Sequence, residues 1–100
     1  MKAVTLQKEG IKVVDTSIPT PNDFQVLVKV NACCLNRSDL LETQGQSFGH
    51  MGSNLKILGG EFAGEVVELG SKVTNLSKGD KVMCRGGSGW AEFALAHHLR

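Results

Sequence analysis

Glycine falls at most of the points where the apolar alternation of this chain breaks off, and that punctuation constrains the fold more than any other feature. Residues 3–6 and 11–15 alternate as strands on either side of Glu9-Gly10, which predicts a hairpin with its turn there. Residues 25–31 put Val26, Val28 and Val30 on one face, the clearest strand pattern in the chain. Residues 65–70 alternate Val66 and Glu68 against Val67 and Leu69 and end at Gly70, expected to close the strand with positive φ. Gly79-Asp80 reads as a tight turn into a strand ending at Cys84, and Gly86, Gly87 and Gly89 precede a last strand expected over 90–95. Between the first pair and Val26 runs a connector carrying Pro19 and Pro21, which cannot donate to a ladder.

One stretch departs from this rhythm. Residues 36–45 predict a short helix, with Asn36 or Ser38 as cap, Asp39 in the first turn and Gly45 at the end. Residues 45–54 are rich in Gly, Ser, Gln and Asn and read as a surface loop. Many short strands with glycine turns and one short helix predict a mainly β fold, a small barrel or sandwich.

With 100 residues, a single domain over 1–100 with one modest core is expected. Eleven Lys and Arg against ten Asp and Glu leave no basic stripe, so nucleic acid is not an expected partner. No apolar run approaches the roughly 18 residues of a membrane span, and the N-terminus lacks the marks of a signal or transit peptide. A soluble, cytoplasmic protein is the expectation. Three cysteines are an odd count and predict free thiols, buried or half-buried, rather than a disulfide framework.

Three segments in fixed order carry a resemblance. They are Ala32-Cys33-Cys34-Leu35-Asn36-Arg37-Ser38-Asp39; then Ile57-Leu58-Gly59-Gly60-Glu61-Phe62-Ala63-Gly64 running on to Gly70; then Gly79-Asp80-Lys81-Val82 with Gly89-Trp90-Ala91-Glu92-Phe93. The order resembles the GroES-like catalytic domain of medium-chain dehydrogenases/reductases, whose fold is a partly open β-barrel with one short helix. Physics accounts for the glycines: Gly59 and Gly60 allow a sharp turn, and Gly64 allows close approach of another backbone.

The resemblance also selects a branch. Zinc-dependent relatives place a cysteine where Asn36 stands and a histidine where Gly60 stands. An amide is a poor zinc ligand and glycine offers no side chain, so no metal is expected. Glu61 then reads as a buried, paired structural acid. Asn36-x-x-Asp39 is similar to the zinc-free quinone oxidoreductases. That similarity implies Asn36 beside the nicotinamide and the reacting carbonyl, its amide donating to a developing oxyanion. Asp39 is implied to anchor the loop or orient a water, and Arg37 and Ser38 to approach the cofactor's ribose or phosphate. Helix capping is the competing reading of Asn36 and Asp39, and one residue can serve both roles. Relatives often carry tyrosines after this helix; this chain has none, which excludes a phenolic acid from the segment. His50, His97 and His98 read as solvated, and Trp90 as a core or interface aromatic.

No Gly-x-Gly-x-x-Gly follows a strand and opens a helix; Gly87-Ser88-Gly89 is followed three residues on by Glu92. The expectation is an incomplete domain without its Rossmann half. The parent would pass hydride from NADPH to a quinone, an activated carbonyl or an alkene, and the chain alone would be inactive. The alternative is a non-catalytic GroES-like module for binding or homo-oligomerisation, since open barrel edges invite pairing.

Overall fold

A computed structural model describes residues 1–7, 10–37 and 56–99. The described residues form seven strands: β1 (Lys2–Gln7), β2 (Gly10–Asp15), β3 (Gln25–Cys33), β4 (Lys56–Ile57), β5 (Glu61–Leu69), β6 (Lys81–Arg85) and β7 (Phe93–His97). They build two antiparallel sheets, β2-β1-β4 and β6-β5-β3-β7. Neither sheet closes on itself, which is the mainly β, partly open arrangement expected. No helix among the described residues is long and apolar enough to cross a membrane. The predicted helix over 36–45, beyond Asn36 and Arg37, lies outside the described residues.

The core lies inside the four-stranded sheet. Val26, Val28, Phe62, Val66, Val73, Cys84, Ala94 and Ala96 are buried together, with Val30, Leu69, Leu76 and Val82 packed around them. Alternation explains most of this, because every second residue of a strand faces the same way. It fails at Leu27, which is buried beside Val26 and Val28. The register against β7 is unbroken from Gln25 to Lys29, so Leu27 lies on the opposite face of the sheet from Val26 and Val28 and is buried there. Against β5 the register shifts twice, through the extra residue Val67 of β5 between Leu27 and Val28 and through the extra residue Asn31 of β3 between Val30 and Ala32. The same strand runs to Cys33, two residues beyond the predicted end.

The hairpin differs from expectation by one residue. Gln7 faces Gly10 across the ladder, so β1 and β2 are joined through residues 8–9 and Gly10 opens β2 with φ of 117°. This register keeps Ala3 and Thr5 inside. The buried Thr5 hydroxyl donates to the Lys12 carbonyl at 3.2 Å and accepts from Gln7 Nε2 at 3.2 Å, so its burial leaves no orphan.

Two glycines act by close approach. A Cβ on Gly64 would overlap the Lys29 carbonyl oxygen, which is the backbone contact expected there. Gly70 does not take positive φ. It is buried against the Asn22 and Asp23 carbonyls, where any side chain would collide, and its N–H donates to the Gln25 carbonyl at 2.7 Å. The Gly79 turn is as predicted, with φ of 92°.

The last strand starts three residues later than expected, at Phe93. Residues 90–92 stitch the two sheets instead. The Trp90 N–H donates to the Leu58 carbonyl and the Trp90 carbonyl accepts from the Val4 N–H, each at 2.8 Å, and Ala91 bridges Ala3. The backbone groups of Trp90 are spent on Val4 and Leu58, while the Glu92 carbonyl still accepts from the Val30 N–H of β3 at 2.9 Å and its N–H donates to the Lys2 carbonyl at 3.1 Å, so Glu92 hands the chain from one sheet to the other.

Candidate active site

Three segments meet at the far end of β3. The chain leaves β3 at Cys33, and the Cys34 N–H donates to the Glu61 carbonyl at 3.1 Å. The Cys34 carbonyl in turn accepts from the Trp90 indole Nε1–H at 3.2 Å. Cys34 thus ties the start of β5 to the 89–92 segment and sets the direction in which the chain continues to Asn36. The half-buried Asn36 reaches Glu61: its Nδ2 donates to Glu61 Oε1 at 2.7 Å. A carboxylate accepts and does not donate, so this pairing turns the amide nitrogen toward Glu61.

Gly59 makes room for the arrangement. Its φ is 107°, and a Cβ there would stand 2.5 Å from Trp90 Cδ1. The Gly59 carbonyl also accepts from the Gly89 N–H at 3.1 Å, and the Gly60 carbonyl from the Gly86 N–H at 2.9 Å. Gly89 is equally constrained, since a Cβ would stand 2.7 Å from Phe62 Cδ1. The glycines of the middle segment therefore hold Trp90 and Glu61 in place around the exit of β3.

Asn36 and Glu61 are brought together, as a paired acid requires, although Glu61 is half-buried rather than buried. Arg37 follows Asn36 and is exposed. Ser38, Asp39 and His50 lie outside the described residues. Trp90 is half-buried and belongs to the wall beside Asn36 rather than to the main core. His97 is exposed, as expected. His98 is half-buried instead of solvated: its Nδ1 lies 3.0 Å from Asn75 Oδ1, its carbonyl accepts from Asn75 Nδ2 at 2.9 Å, and its ring stacks on His97. Both stand at the end of β7, where His97 faces Gln25 at the opposite end of β3 from Asn36.

The cysteines correct a second expectation. Only Cys84 is buried; Cys33 and Cys34 are exposed. The end of β3 runs past the buried core cluster, none of whose residues lies beyond Val28 on this strand. Burial pushes the Cys84 thiol above the ordinary thiol range. Among the described residues no three His, Cys, Asp or Glu side chains gather as a metal site.

A groove beside this site had no counterpart in the sequence patterns. It has a volume of about 420 Å³ and lies between the two sheets, walled by Val4, Val13, Val30, Cys33, Leu35 and Trp90. Its walls come from separate stretches of chain, so no local pattern could announce it.

Comparison with known proteins agrees with this geometry. The profile described as "Alcohol dehydrogenase GroES-like domain" matches residues 22–98. A quinone oxidoreductase-like protein 2 homolog of Nematostella vectensis is 43% identical over 84 residues, covering 80% of this chain and 23% of that protein. The quinone oxidoreductase of Coxiella burnetii superposes with a TM-score of 0.87 at 36% identity, over 97% of this chain and 34% of that one. A mycobacterial protein solved in complex with NADPH superposes with a TM-score of 0.86 at 27% identity, over 98% of this chain and 32% of that one. The chain spans about a quarter of the length of the curated relatives it matches. Fold, motif order and these relatives agree: the chain belongs to the alcohol dehydrogenase GroES-like domain family, on the quinone oxidoreductase side of the medium-chain dehydrogenases/reductases.

Proposed function

We propose that this chain is the substrate-side wall of an NADPH-dependent, zinc-free reductase acting on quinones or on activated carbonyls and alkenes. The observation that carries the reading is the Asn36–Glu61 pair at 2.7 Å, beside an apolar groove. NADPH supplies the hydride when it is bound. Asn36 places an amide donor where negative charge grows on the substrate oxygen, and Glu61 is the positioning residue that orients that amide. Val13, Leu35 and Trp90 offer a flat substrate an apolar surface to lie against. Arg37 and Ser38 are assigned to the cofactor's ribose or phosphate, and Asp39 to anchoring the loop.

Zinc does not fit the donor set: Asn36 is engaged with Glu61, and Gly60 has no side chain to offer. No described strand opens a helix through a glycine-rich turn, so the nucleotide's phosphates are assigned to a Rossmann domain that completes the site. NADPH is favoured over NADH by the structural relative solved with it.

The test replaces the corresponding first third of the Coxiella burnetii quinone oxidoreductase with this chain and follows NADPH oxidation by 1,4-naphthoquinone, with NADH in parallel. Turnover is expected from the chimera and none from the chain by itself. Asn36→Ala should lower kcat by roughly 100-fold, as loss of an oxyanion donor does. A chimera indifferent to that substitution would remove Asn36 from the mechanism.

A further inference from the structure

We propose that the Cys33–Cys34 pair at the groove is a covalent capture site for flat, apolar quinones, with Cys33 the thiol that reacts. The reaction consumes no nicotinamide, so it stands apart from the hydride-transfer reading.

Three observations converge. Both thiols are exposed, in contrast to the buried Cys84. Cys33 lines the groove, together with Val13, Val30, Leu35 and Trp90. The groove is open to solvent where its apolar walls are most exposed, at Leu35 (78%) and Val13 (67%). At about 420 Å³ it lies within the range that holds small ligands. A flat apolar ring lying against Trp90 is therefore held beside a soft sulfur nucleophile.

The two cysteines are not equivalent. Successive side chains of an extended segment point to opposite sides, so the pair divides its thiols between two directions. The Cys34 backbone is held at both ends, by the Glu61 carbonyl and the Trp90 indole. That clamp fixes the geometry of the preceding residue and leaves Cys33 presented to the groove.

The chemistry balances without a further reagent. The thiolate is the nucleophile. The Cys33 sulfur attacks a ring carbon of the quinone, an S–C bond forms and one C=C π bond is lost. The thiol proton passes to one quinone oxygen. The hydrogen on the attacked carbon then leaves and a proton joins the second oxygen. The product is a thioether-linked hydroquinone: the two carbonyl carbons are reduced to C–OH carbons, the attacked ring carbon is oxidised as it exchanges its C–H bond for C–S, and the sulfur keeps its oxidation level, so the addition needs no outside oxidant or reductant.

The experiment treats the purified chain with 1,4-naphthoquinone under anaerobic conditions without nucleotide. Intact mass and peptide mapping follow the adduct, and iodoacetamide serves as a small reagent that needs no groove. The expected result is one naphthoquinone per chain, on Cys33. Its rate relative to iodoacetamide should exceed the same ratio on glutathione by about tenfold, because the groove holds the ring near the sulfur. Cys33→Ser should abolish this adduct and Cys34→Ser should keep it. Leu35→Ser, at an exposed position, should lower the naphthoquinone rate and leave iodoacetamide unchanged. Prior labelling at Cys34 or Cys84, a ratio equal to that of glutathione, or indifference to Leu35→Ser would each overturn the proposal. Because no nucleotide is present, failure here leaves the reductase reading standing, and an inactive chimera leaves this one standing.

Discussion

At the residue scale, two positions are governed by what they exclude. Gly64 faces the Lys29 carbonyl across the β3–β5 ladder with no room for a methyl group. Gly64→Ala should therefore lower the stability of the chain by about 2 kcal/mol or more in urea unfolding, since the ladder must separate to admit the new atom. Cys84 is governed by its surroundings. Its thiol is pushed up by burial, so the unfolded chain loses this proton at lower pH than the folded one. The stability it contributes is complete below the ordinary thiol range and declines as pH rises from there through the folded value. Thermal unfolding between about pH 7 and 10 should show that decline, and Cys84→Ala should remove this component. The close approach at Gly64 was legible from the glycine-rich segment that it ends, although the strand expected from residue 65 begins at Glu61 and takes Gly64 inside it. Local sequence could not make the Asn36–Glu61 pair legible, because 25 residues separate the two and only folding brings the amide to the acid.

At the element scale, β3 carries the molecule. It lies between β5 and β7 and supplies Val26 and Val28, each almost fully buried. Val28→Ala should cost roughly 2 kcal/mol, the transfer of two carbons plus the cavity they leave, read from the shift of the urea midpoint. Val26, Val28 and Val30 were recognisable from alternation alone, since a strand with one face in a core needs that pattern. The two bulges were not, because a bulge is set by how β5 lies against its partner rather than by local preference. Past its own extra residue, Asn31, β3 continues to Cys33, so both exposed thiols and Asn36 stand beyond the buried part of the strand.

At the scale of the whole molecule, the two sheets are joined through a short stitch rather than a common ladder. Val4, Leu58, Trp90, Ala3 and Ala91 form it, and the candidate site and the groove sit beside it. If the stitch makes one cooperative unit, the Val4 and Trp90 amides should exchange with solvent as slowly as those in the middle of β3. Ala3→Leu, at a position 1% exposed, should open the stitch and speed both amides, measured by hydrogen exchange with β3 as reference. By itself the sequence determined the mainly β class, the family and most strand positions, because alternation, turn glycines and motif order are local properties written along the chain. Tertiary structure alone decided that Trp90 would join the sheets instead of starting β7, that Gly70 would serve close approach instead of positive φ, and that a groove would form beside Asn36. Each of those depends on backbone and side-chain groups far apart in sequence competing for the same space and the same hydrogen bonds, and that competition is resolved only when the chain is folded.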